Sequence, residues 1–135
     1  MRIIIEEPPN IVAIRNTFPL TGREIFAWGD TIYNPSNAKL TKELRAHEAI
    51  HSQQQSDDIE GWWAQYLKDV DFRFKQEVEA HIVEYITHRR VQRSRNIRRI
   101  YLREISKRLS SPMYGSIVTF DKAKKLIKGG LIEST

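Results

Sequence analysis

The 135-residue sequence contains no cysteine. That absence excludes disulfides, thiolate metal ligands and cysteine nucleophiles together, so any metal bound by this chain has to be held by His, Asp or Glu. No apolar run approaches the roughly 18 residues of a membrane span, and no transmembrane segment is expected. The start, MRIIIEEPPN, follows a short apolar triplet with acids and prolines. It lacks the longer apolar region and small-residue cleavage site of a signal peptide, so a cytoplasmic location is expected. Internal repeats, low-complexity tracts and linker-like stretches are also missing, and the length suits a single domain over 1–135.

Against these absences stands a composition that is 40% hydrophobic and 29% charged, that of a globular chain. The net charge of +5 is unevenly placed. Residues 88–108, HRRVQRSRNIRRIYLREISKR, hold eight Arg and one Lys against one Glu, a local +8 that leaves 5 − 8 = −3 for the rest. Such a helical region, about 88–128 with its continuation, reads first as a solvated face. The alternative is a polyanion such as nucleic acid, met by Arg89, Arg93, Arg98 and Arg99.

In EIFAWGDTIYN, alternation around Gly29-Asp30 predicts a two-residue hairpin over about 24–33, with glycine at the first central position of the turn. IIIEEPPNIVAI could add an earlier strand or two, interrupted by Pro8 and Pro9. NPSNAKLTKELRAHEAIHSQQQ reads as a loop entering a helix, with Leu40, Leu44, Ala46 and Ile50 as its apolar positions. A short aromatic helix is expected over WWAQYLKDV, and a longer one from about Phe74 through the arginines to the LSSPMYGS break. A last short helix, FDKAKKLIK, is expected to stop at Gly129 and Gly130. The class is α+β, mostly helical, with a small antiparallel sheet preceding the central helix.

That central helix carries HEAIH. His47 and His51, at i and i+4, project from one helix face and can reach the same ion, a geometry that fits zinc. Glu48 lies about 100° further around the helix, beside the ion, where it could take a proton from water. Two histidines leave zinc incomplete, because a catalytic site needs a third protein ligand and an open fourth position. On the following helix, Glu77, His81, Glu84 and His88 form a polar stripe beside an apolar arc of Phe74, Val78, Ile82, Tyr85 and Ile86. Glu79 falls inside that arc. Either Glu77, at the edge of the packed face, or Glu79, buried in it, could meet the ion, and periodicity leaves both open.

HEAIHSQQQ followed by EVEAH resembles the gluzincin branch of zinc metallopeptidases, and within it the small predicted metallopeptidases of bacterial and phage genomes. The likeness spans about residues 24–86. In that group the second helix commonly carries E-x-x-A followed by Asp or Asn, and the leading glutamate binds the metal. By position the resemblance implies a zincin-like domain with one zinc per chain on His47, His51 and Glu77. His81 stands where the family has Asp or Asn, and that departure keeps it as an alternative ligand. The resemblance also implies that the substrate backbone lies along a strand edge, either TIYNP or EIFAW.

The implied reaction is hydrolysis of a peptide bond in a protein or peptide substrate, with metal-activated water and Glu48 as general base. His81, Tyr85, His88 and Tyr114 are the available donors to the oxyanion. One glutamine of QQQ could orient a ligand imidazole. The tryptophans of GWWAQYL are expected to seal a small core, and Tyr114 to pack in its loop. Two other classes stay open: a non-catalytic zinc-stabilised binding protein, and a nucleic-acid-binding module using the arginine-rich 89–108 helix.

Overall fold

In the computed structural model, which describes residues 1–133, short strands and helices alternate first and a helical array follows. β1 (Arg2–Ile4) leads to α1 (Ile11–Thr17), then β2 (Phe26–Trp28) and β3 (Thr31–Tyr33). The helices α2 (Lys42–Gln55), α3 (Ile59–Lys68), α4 (Val70–Val91), α5 (Arg95–Leu109) and α6 (Phe120–Glu133) complete it, with a 3-10 turn at Pro112–Tyr114. No helix among the described residues is long and apolar enough to cross a membrane.

The hairpin forms where expected. Gly29 takes φ +60° while Asp30 stays at negative φ, the pattern of a turn with glycine at its first central position. The sheet is mixed, however: β1 pairs in parallel with β3, giving the order β1-β3-β2. IVAI is not a second early strand. After Pro8 and Pro9 it becomes α1, whose Ile14 is buried against Trp62, Trp63 and Tyr66 of α3.

Helix starts follow local side-chain chemistry. Thr41 accepts from Leu44 N, Asp58 from Gly61 N, and Asp69 from the amides of Asp71 and Phe72, each satisfying first-turn donors that a helix leaves unpaired. The Asp69 cap starts α4 at Val70, four residues before the expected Phe74.

The single basic helix is a second departure. Ser94 caps a new helix by accepting from Ile97 N, and Gln92 is extended, so the arginine run splits between α4 and α5. Arg98 closes the end of α4 by donating to the carbonyls of Gln92 and Arg89. Nor does α6 stop at its glycines. It continues to Glu133, and a Cβ on Gly130 would stand 2.5 Å from Ile82 Cδ1 of α4. Gly130 therefore serves close helix packing, not termination.

Two apolar clusters form. One joins α1, α3 and the hairpin around Phe26, Trp62 and Tyr66; the other joins α4, α5 and α6 around Tyr85, Ile105 and Ile127. The α2–α4 contact is different. α2 buries His47, Glu48, His51 and Gln55, while α4 buries Glu77, His81, Glu84 and His88 along with Arg73, Ala80 and Tyr85. The expected apolar positions of α2, Leu40, Leu44, Ala46 and Ile50, are only half-buried.

Candidate metal centre

Polar faces pack together at the α2–α4 contact because their atoms converge. His47 Nε2 and His51 Nε2 are 3.2 Å apart. Glu77 places Oε1 3.2 Å from His47 Nε2 and Oε2 3.1 Å from His51 Nε2. Tetrahedral zinc with bonds of about 2.0–2.1 Å would separate its ligand atoms by about 3.3 Å. The spacing is that of a ligand set.

Hydrogen bonding behind the imidazoles fixes which nitrogen faces inward. Gln54 Nε2 donates to Gln76 O and to Glu79 Oε1, which turns Gln54 Oε1 towards His51 Nδ1 at 2.8 Å. His47 Nδ1 lies 2.8 Å from Glu84 Oε1. Both partners are acceptors, so both Nδ1 atoms donate, and in the neutral tautomers the Nε2 lone pairs point at one another and at a carboxylate. That arrangement needs a cation between them.

Without a metal, protons fill this role. Burial opposes a charge on His47, but the carboxylates of Glu77 and Glu84 beside it outweigh that and hold the group protonated up to about 10. Burial would raise both carboxylates; the neighbouring histidines instead hold Glu77 well below the usual range, and His47 with Arg108 brings Glu84 to about 2. Tyr66 OH donates to Glu77 Oε2 at 2.6 Å. Glu77 Oε1 is buried with no hydrogen bond among the described residues.

Buried His47, His51, Glu77 and His81 could bind a metal ion. The four are not equivalent. His81 groups instead with His47 and Glu84, a second set that shares His47 with the first. Its Nδ1 donates to Glu77 O at 2.6 Å, its Nε2 is buried without a partner, and burial together with His47 lowers it to about 4. Glu79 is not buried in the packed arc. It is exposed, and its Oε1 accepts from Gln54 Nε2 of α2.

A cleft of about 220 Å³ opens on His47, Glu48, His51 and Glu77. Glu48 is buried, with no hydrogen bond among the described residues, and its Oε2 lies 3.9 Å from His47 Nε2. Burial raises its pKa, and the two histidines only partly counter that. Of the four expected oxyanion donors, only Tyr114 lines the cleft. Tyr85 packs in the α4–α5–α6 cluster. His88 bonds Glu43 Oε2 at 3.1 Å and stacks on Tyr101 with ring centroids 3.9 Å apart. His81 is fully buried and does not line the cleft.

Phe26 and Ala27 of β2 form the cleft wall; β3 is central in the sheet and has no free edge. Ala27 O accepts from Gln55 Nε2 at 2.8 Å and Trp63 Nε1 at 3.0 Å, which ties the hairpin to α2 and α3. Trp62 and Trp63 seal the core and also line the cleft.

Sequence reasoning missed four residues that position the centre: Glu84, Tyr101, Arg108 and Arg73. Glu84 was read only as part of a stripe, although its i+7 spacing from Glu77 signals a shared face. Its other oxygen accepts from Tyr101 OH and Arg108 Nη2, both at 2.6 Å. Buried Arg73 donates to the carbonyls of Tyr66, Leu67 and Met113, fixing α3 and the Pro112–Tyr114 turn against α4. No local pattern marks those long-range partners. Arg89, Arg93 and Arg99 are exposed, whereas Arg98 is committed to backbone carbonyls.

No protein-family model matches the chain, and no curated protein or solved structure matches it either.

Proposed function

We propose that this protein is a zinc-dependent peptide-bond hydrolase, with zinc held by His47, His51 and Glu77 and with Glu48 as general base. The observation that carries the reading is Glu48: a buried carboxylate with no hydrogen bond, 3.9 Å from a ligand nitrogen and facing the cleft. A purely structural zinc site has no use for an acid there, and burying a carboxylate that accepts no hydrogen bond among the described residues costs free energy.

Zinc, when bound, supplies Lewis acidity, polarising a carbonyl and bringing the pKa of its water from 15.7 towards about 7. Glu48 takes the proton from the attacking water and returns it to the leaving amine. Burial, which raises its pKa, suits a group that must both accept and release that proton. Glu84 and Gln54 hold the imidazoles in the tautomer that presents Nε2. Tyr114, which lines the cleft, would be the donor to the developing oxyanion. Phe26 and Ala27 of β2 would flank an extended peptide as part of the cleft wall, while Ala27 O itself stays committed to Gln55 and Trp63. Zincin-like chemistry fits this donor set because all its ligands are nitrogen or oxygen, and three of them would leave a tetrahedral ion one position for water.

The test is hydrolysis of a peptide library by zinc-loaded protein, with Glu48→Gln in parallel. Activity in the parent, and its loss in a variant that keeps zinc, supports the reading. Zinc-loaded protein that hydrolyses no peptide in the library counts against it in favour of a zinc-stabilised binding protein.

A further inference from the structure

The cleft is lined by several carboxylates but by a single Arg or Lys, Arg108 near the end of α5. Of the carboxylates, Glu24 is occupied locally, accepting from Thr21 N, Thr21 Oγ1 and Gly22 N. Glu48 and Glu77 belong to the centre. Arg108 is different, since its side chain remains 45% exposed and its one hydrogen bond is Nη2 to Glu84 Oε2. Nε and Nη1 have no protein partner among the described residues.

Neutralising Glu84 does not use up this guanidinium. Glu84 already accepts from His47 Nδ1 and Tyr101 OH, and the Arg108 contact uses one of five N–H donors. The remaining donors form a planar fork that matches a carboxylate. Anchoring by Glu84 also removes rotamer freedom that binding would otherwise have to freeze. Only Glu84 separates the guanidinium from His47, through two hydrogen bonds, a reach that about three extended residues of a peptide cover.

We infer that Arg108 is a specificity residue that receives a carboxylate of the substrate close to the cleaved bond. The substrate class is therefore an anionic peptide, carrying either a free C-terminal carboxylate or an acidic side chain. This inference rests on the peptide-hydrolase reading, which it sharpens.

Three peptides of otherwise identical neutral sequence test it: one with Gln and a C-terminal amide, one with Glu and an amide, one with Gln and a free carboxylate. Binding is measured on the zinc-free full chain, so that carboxylate coordination to zinc cannot contribute, by the fluorescence of cleft residues Trp62 and Trp63. Turnover is measured on the zinc-loaded chain. At least one anionic peptide should bind about tenfold more tightly than the neutral one, the lower end of what a hydrogen bond to a charged group contributes. Whichever of the two does so identifies the source of the carboxylate. In Arg108→Gln, read on the zinc-free chain so that any change in zinc affinity plays no part, the preference should vanish; Arg108→Lys should keep part of it. Equal binding of all three by the parent, or a preference that survives Arg108→Gln, overturns the inference. The two readings fail separately: turnover without charge preference removes this one alone, whereas charge-selective binding without turnover keeps Arg108 as a carboxylate site but removes the hydrolase and, with it, Arg108's role in selecting the cleaved bond.

Discussion

His47 Nδ1 donates to Glu84 Oε1 at 2.8 Å across the α2–α4 contact, joining residues 37 positions apart. Glu84 is fully buried and is itself held by Tyr101 and Arg108 of α5. The arginine-rich helix thereby stabilises the orientation of an imidazole that it never touches. Glu84→Gln should weaken zinc affinity by about 10–100-fold, the usual effect of losing the group behind a ligand histidine. Competition with a chromogenic chelator measures it, and affinity equal to the parent would remove Glu84 from the centre.

The ligand set predicts a sharp contrast between two glutamates on one helix. Protein purified without added metal should contain about one zinc per chain. His47→Ala, His51→Ala and Glu77→Ala should lose it, while Glu79→Ala, altering an exposed residue, should retain it. Elemental analysis decides, and zinc retention by Glu77→Ala would transfer the third position to His81.

Glu48 has a different duty from its neighbours. Glu48→Gln preserves size and polarity but removes the basic oxygen, so zinc should remain while kcat falls by about 10²–10⁴. A variant as fast as the parent would show that Glu48 is not the base.

Two adjacent glycines in α6 should respond in opposite directions. A Cβ on Gly129 meets nothing within 4 Å, so Gly129→Ala should stabilise through helix propensity by up to about 1 kcal/mol. A Cβ on Gly130 would come within 2.5–2.7 Å of three side-chain atoms of Ile82, and Gly130→Ala should cost about 1–3 kcal/mol through overpacking. Thermal unfolding of both variants provides the comparison; equal Tm shifts would mean that α6 does not pack on Ile82.

The sequence by itself determined the features that depend on short spacing. An i, i+4 relation puts His47 and His51 on one helix face whatever surrounds them, and Gly-Asp between alternating strands specifies its own turn. Zero cysteines restricted the ligand chemistry before any fold was known. Only the tertiary structure decided which stripe of α4 faces α2. Amphipathic reasoning assigns only apolar residues inward, but α4 is packed on two sides. Its apolar arc lies on α5 and α6, and a cluster of mutually satisfying His, Glu and Gln side chains is buried against α2, with Glu77 at its centre and Glu79 left exposed. The break between α4 and α5 likewise escaped the pattern, because Ser94 and Arg98 end one helix and begin the next without Gly or Pro. Glu84, Tyr101 and Arg108 come together for a reason that no local rule encodes: they are brought into contact by how α4 and α5 pack, and that packing is set by Tyr85, Leu102 and Ile105 far from the motif in sequence.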